Sequence, residues 1–207
     1  MFTHHIREIR LKPRSYKLKA RAERQDETRQ RIVEATVRLH ETRGARDTSI
    51  SAIAAEAGVQ RLTVYRHFPN ERALFTACTG HYLEQHPPPD PEPWLKIADT
   101  EQRLRAGLTT IYAYHAQTEA MFATGARDIE QNATLRKVLA PNFAHWGRIN
   151  EVLSHGWTRG RAASRLVRAA VEHATAFATW RALVRGSGLN DDEAIMLMAG
   201  MVKTALR

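Results

Sequence analysis

Apolar residues recur at helical spacing along most of the chain. Ile50, Ile53, Ala54 and Ala57 fall at i, i+3, i+4 and i+7, the stripe of an amphipathic helix. Ser49 stands just ahead of that stripe, where its hydroxyl can cap free amides. Gly58 supplies the permissive backbone of a sharp turn. Val64 and Phe68 resume the pattern at i and i+4, which leaves Arg61, Leu62, Thr63, Tyr65, Arg66 and His67 on the other faces. Short helices over 50–57 and 61–68, joined by a glycine turn and with a polar face on the second, describe a helix-turn-helix.

A longer helix over 26–43, closed by Gly44, is predicted before this pair. Another over 71–85 follows the break at Pro69 and Asn70. The proline-rich run 87–93 cannot continue a helix and reads as an extended, semi-rigid junction. Beyond it no stretch alternates with the period of two that marks a strand. Helices are predicted over 94–117, 119–126, 134–155, 164–185 and 191–206, with Pro141 starting or kinking the third. Gly186, Ser187 and Gly188 stop the fourth, and Asn190 or Asp191 can cap the fifth. The fold class is all-α: a three-helix helix-turn-helix DNA-binding domain, then a larger helical domain.

Residues 26–85 resemble the DNA-binding signature of TetR-type transcriptional regulators. The matching positions are Ile32 and Ala35, Gly44, Ile53 and Ala54, then Ala57, Gly58 and Val59. Thr63, Tyr65, Phe68, Ala73 and Leu74 complete the set at ungapped spacing. The resemblance implies a homodimer that reads a palindromic double-stranded DNA operator and a second domain that takes a small-molecule effector and dimerises, most often in a repressor. It assigns Tyr65 to a phosphate contact. The domain reading is therefore a flexible basic arm over 1–25, a helix-turn-helix domain with connecting helix over 26–86, the junction over 87–93, and a helical effector-binding and dimerisation domain over 94–207. Four positions depart from the family pattern. Glu71 replaces a customary Lys, Leu62 a small residue, Gln60 a Ser cap and His40 a Phe.

The chemistry of the second short helix points the same way. A helix fits the major groove with its N-terminal residues on base edges. Arg61 can donate twice to guanine O6 and N7, and Leu62 and the Thr63 methyl can meet thymine methyl groups. Arg66 and His67 are placed for the phosphate backbone, and Arg72 can stand in for the missing Lys. Ser49 and Ser51 lie where hydroxyls and free amides meet phosphate.

Charge changes the picture at the N-terminus. The formal net charge is +9, yet residues 25–85 hold eight basic and eight acidic residues. Residues 1–24 hold eight Lys or Arg (Arg7, Arg10, Lys12, Arg14, Lys17, Lys19, Arg21 and Arg24) against two Glu. Such an arm is either a solvated tail or a phosphate-binding extension. Cys78, the one cysteine, excludes an internal disulfide and reads as a packed residue in a reducing cytoplasm. No run approaches the ~18 apolar residues of a membrane span, and the N-terminus lacks the apolar core of a secretory signal. The expected location is cytoplasmic, with no membrane partner.

Candidate effector-pocket residues are Tyr112, His115, Phe122, Phe143, Trp146 and Phe177, each of which also fits a plain core. The last two predicted helices carry stripes whose candidate dimer residues are Leu166, Ala170, Trp180, Ile195, Met198 and Val202. Those stripes either form a four-helix bundle across a twofold axis or pack inward. His145 with His155 and His81 with His86 are not spaced as metal pairs, and no cofactor or catalytic motif is present. Two other functions stay open on the sequence: a helical protein-interaction module with degenerate DNA binding, and an all-helical enzyme.

Overall fold

The computed structural model describes residues 14–157 and 161–205, with side chains from residue 18 to 157 and from 164 to 205. No strand occurs among them. The head comprises α1 (Arg14–Arg43), α2 (Ile50–Glu56), α3 (Arg61–His67) and α4 (Glu71–Gln85). The body comprises a 3-10 turn (Glu92–Lys96), α5 (Thr100–Gln131), α6 (Ala133–Val138), α7 (Ala140–Ser154), α8 (Arg161–Thr175), α9 (Phe177–Arg181), a π-helical turn (Ala182–Gly186) and α10 (Asp191–Thr204).

The first helix starts at Arg14 rather than near residue 26, so part of the expected flexible arm is helical. Residues 14–25 are rich in Ala, Lys, Arg and Glu, which propagate a helix without an apolar stripe. This extension has nothing to bury: Leu18 is 60 % exposed, and the first buried residue is Ile32. Lys19, Arg21 and Arg24 ride on it in solvent, whereas Arg7, Arg10 and Lys12 lie outside the described residues.

Helix α5 fuses two predicted helices into one, because nothing at Gln117 or Thr118 breaks it. The Thr118 hydroxyl is buried and donates to Tyr114 O at 2.7 Å. Asp99 caps its start, accepting from Gln102 N at 2.8 Å. The proline run is docked rather than free: Pro89 and Pro91 are buried, and His145 Nε2–H donates to Pro89 O at 2.9 Å.

The predicted helix over 134–155 divides at Leu139, with Pro141 in the first turn of α7. The one over 164–185 divides at Ala176, which is extended. That break frees two carbonyls, and α5 satisfies both. Tyr112 Oη–H donates to Ala174 O at 3.0 Å, and His115 Nε2–H donates to Thr175 O at 2.9 Å.

Two apolar cores result. The head core gathers Ile32, Val33, Ile53, Ala54, Val64, Phe68, Leu74 and Phe75. The body core gathers Trp94, Leu104, Leu108, Ile111, Ile149, Leu153, Val171 and Trp180. Leu135 of α6 belongs to the head core, so the body reaches into the head.

Polar contacts fasten the same seam around Asp128, which is 1 % exposed. Its carboxylate accepts from Arg46 N at 3.1 Å and from Arg127 Nε at 3.3 Å. Thr124 Oγ1–H donates to His40 O at 2.8 Å, and Arg127 Nη2–H to Arg43 O at 3.1 Å. Gly44, at φ +87°, turns the chain directly over this carboxylate, and a Cβ there would collide with Asp128.

Candidate nucleic-acid interface and ligand cavity

The local sequence builds the head's reading edge. Ser49 Oγ accepts from Ala52 N at 3.1 Å and so caps α2. Gly58, at φ +65°, makes the turn into α3. Val64 is fully buried and Phe68 nearly so, and these two anchor α3. The opposite edge faces out: Leu62 is 78 % exposed and Tyr65 45 %. Arg61, Arg66 and Arg72 are exposed and make no hydrogen bond or ion pair among the described residues. Thr63 and His67 are half-buried, and Ser51 is exposed. Gln60 makes no side-chain cap on α3, in keeping with the absence of a Ser there.

A cation from α1 shapes this edge. Arg29 of α1 lies over the Phe68 ring at 4.9 Å. Burial first, then Arg66 and Arg29, lower the pKa of His67. Glu71 points elsewhere: it accepts from Asn132 Nδ2 at 3.2 Å, at the α5–α6 junction. The acidic departure at this position is thus a head-to-body contact in the first turn of α4, where negative charge suits the helix dipole.

A cavity of about 320 Å³ lies between head and body. Val37 and His40 of α1 and Cys78, Thr79 and Tyr82 of α4 wall it on the head side. Tyr114, Met121, Phe122, Gly125, Ile129, Asn142, Phe143, Trp146 and Phe177 wall it on the body side. Four of the six candidate pocket residues, Phe122, Phe143, Trp146 and Phe177, therefore line it. Tyr112 and His115 do not; the Tyr112 hydroxyl and His115 Nε2 are committed to the carbonyls at the α8 break. His115 instead backs the wall, stacked on Trp146 with ring centroids 5.7 Å apart. The head-side residues were missed by sequence reasoning, since α1 and α4 read there only as head core. The one available signal was His40 in place of Phe.

Burial sets the ionisation of the cavity. It pushes His40 and His115 down to about 4 and the Cys78 thiol up to about 12, so all three are neutral near pH 7.

The candidate dimer residues divide between two faces. Trp180, Ile195, Met198 and Val202 are at most 6 % exposed and belong to the chain's own body core. Ala170 is half-buried against that core. Leu166 alone of the six is well exposed, at 56 %. Met196 and Leu197 of α10, which sequence reasoning passed over, also stand in solvent, at 60 % and 49 %.

Residues 32–78 match the sequence profile of the tetR family of bacterial regulatory proteins. The match covers the helix-turn-helix head, from α1 into α4. Solved structures share the fold over nearly their whole length. A TetR-like transcriptional regulator from Rhodococcus sp. RHA1 superposes with a TM-score of 0.61 at 20 % identity, covering 86 % of this chain and 95 % of its own. A TetR family regulator from Marinobacter aquaeolei VT8 gives 0.55 at 21 %, covering 89 % and 97 %. The transcriptional regulator FadR from Bacillus subtilis, in complex with stearoyl-CoA, gives 0.53 at 19 %, covering 86 % and 97 %. Among curated proteins, none matches the sequence. No described helix is long and apolar enough to cross a membrane.

Proposed function

We propose that this chain is a TetR-family regulator, a cytoplasmic, homodimeric repressor that holds a palindromic operator and releases it when a small molecule enters the inter-domain cavity. The observation that carries the reading is the shared wall of that cavity. A ligand there must touch α1 and α4 of the head as well as α5 and α7 of the body. Filling the cavity therefore acts on the angle between them, and a differential affinity of about 1–3 kcal/mol suffices to couple the sites.

The DNA contacts follow from exposure and chemistry. Arg61, Leu62 and Thr63 read bases, while Ser49, Ser51, Tyr65, Arg66, His67 and Arg72 hold phosphates. Two copies pair through the outward faces of α8 and α10, where Leu166, Met196 and Leu197 leave apolar surface in water. Gly200 on the same face has open space where a Cβ would stand, so a second helix can approach closely. The alternative of degenerate DNA binding loses its motive, because Glu71 is engaged with Asn132 rather than facing DNA.

Selection from random duplex DNA with the full chain tests this. A twofold motif bound by two protomers is the expected result. An asymmetric motif bound by one protomer, or no enriched motif, overturns it.

A further inference from the structure

The wall of the inter-domain cavity narrows the chemistry of its occupant. None of the residues that line it is Asp, Glu, Lys or Arg. An ion entering such a space loses its hydration and meets no counter-charge. The cations nearest in kind, Arg181 and Arg185, border an adjoining cleft outside α9, and Glu119 already holds them at 3.9 Å and 2.9 Å.

Two polar atoms inside the cavity wall lack a partner. Tyr114 is 5 % exposed and its hydroxyl makes no hydrogen bond, and the buried Oδ1 of Asn142 makes none either. Buried polar atoms are nearly always paired, so two orphans on one cavity wall mark the place of a ligand's polar group. The remaining surface is mostly apolar, and the aromatic side chains of Tyr82, Phe122, Phe143, Trp146 and Phe177 stand in it among aliphatic ones such as Met121, Ile129 and Leu139. A volume of about 320 Å³ is at the small end of ligand sites.

We propose that the effector is an uncharged, compact aromatic molecule bearing a hydroxyl, whose ring packs among these side chains and whose hydroxyl pairs with Tyr114 and Asn142. This rests on the cavity being the effector site. A hydroxyl both accepts from the Tyr114 O–H and donates to an amide oxygen, which neither a hydrocarbon nor a carboxylate does at neutral pH.

Calorimetric titration of the full-length protein with 2-naphthol, naphthalene and 2-naphthoate tests the proposal. The expected order is 2-naphthol first, naphthalene roughly three- to ten-fold weaker, and 2-naphthoate without measurable binding. Tyr114→Phe should weaken 2-naphthol by a similar factor and leave naphthalene unchanged. Gly125→Leu fills the cavity, since a Cβ at Gly125 meets nothing within 4 Å, and should abolish binding of every probe. Tighter binding of 2-naphthoate, or no preference for 2-naphthol over naphthalene, overturns the ligand class. If Gly125→Leu still blocks the probe that does bind, the site itself stands. Equal binding of 2-naphthol by wild type and Gly125→Leu overturns the site as well, and silence from all three probes overturns the class.

Discussion

Leu62 is 78 % exposed while Val64, two residues on, is fully buried, so α3 separates an exposed edge from a buried anchor within one turn. That division was legible in the sequence because it depends only on local period. Arg61→Ala should cost about 1–3 kcal/mol of binding and relax preference at one base pair per half-site. Arg66→Ala should weaken all sequences alike and lower the salt slope by about 1 per protomer. Comparing the two variants on base-substituted duplexes checks the assignment, and a uniform loss for Arg61→Ala would remove Arg61 from base readout. Glu71, Tyr112 and His115 were not legible. Their partners, Asn132, Ala174 and Thr175, are about sixty residues away, beyond any spacing rule. These positions thus read as a weakened DNA contact and a pocket wall until the fold supplied the partners.

The buried histidines also set a pH dependence. His40 and His115 titrate near 4 in the fold, below the ordinary 6.5, so the unfolded chain binds more protons between those values. Their contribution to stability is complete above pH 6.5 and is lost as pH falls toward 4. His40→Phe should remove its share of that loss, on the order of 3 kcal/mol across the window. Denaturant titrations at pH 7 and pH 4.5 measure it, and an unchanged pH dependence would contradict a neutral, buried His40.

At the scale of elements, the loop after α1 rests on α5. Gly44→Ala suffers twice, from the left-handed backbone and from collision with the Asp128 carboxylate. We expect a destabilisation of roughly 2 kcal/mol or more, and of only about 1 kcal/mol when introduced into Asp128→Ala. Thermal unfolding of the four proteins in that cycle checks the coupling, and strict additivity would show that Asp128 does not hold the loop. Helix α10 shows why pattern alone does not choose the inward face. Met196, Leu197 and Met201 flank Ile195, Met198 and Val202, so the helix is apolar on more than one face and periodicity cannot choose which one turns inward. The break at Ala176 was equally hidden, since no Pro or Gly marks it and its freed carbonyls are satisfied from α5.

For the whole molecule, the basic excess and the reading head are joined through one helix. The head proper is charge-neutral over residues 25–85, while the exposed start of α1 carries Lys19, Arg21 and Arg24. Removing residues 1–24 should leave the head core, which begins at Ile32, intact and weaken binding to every duplex. The salt slope should fall by roughly 0.9 for each phosphate that the shortened chain no longer neutralises, whereas an unchanged slope would make the extension a solvated tail. Leu197→Glu should yield monomers by sedimentation at unchanged helical content.

The central claim is that α3 reads sequence. It is tested most directly by equilibrium titration of the full chain against its selected duplex and a scrambled duplex of equal length at physiological salt. The selected duplex is expected to bind at least ~1,000-fold more tightly. Equal affinity for the two would contradict the claim.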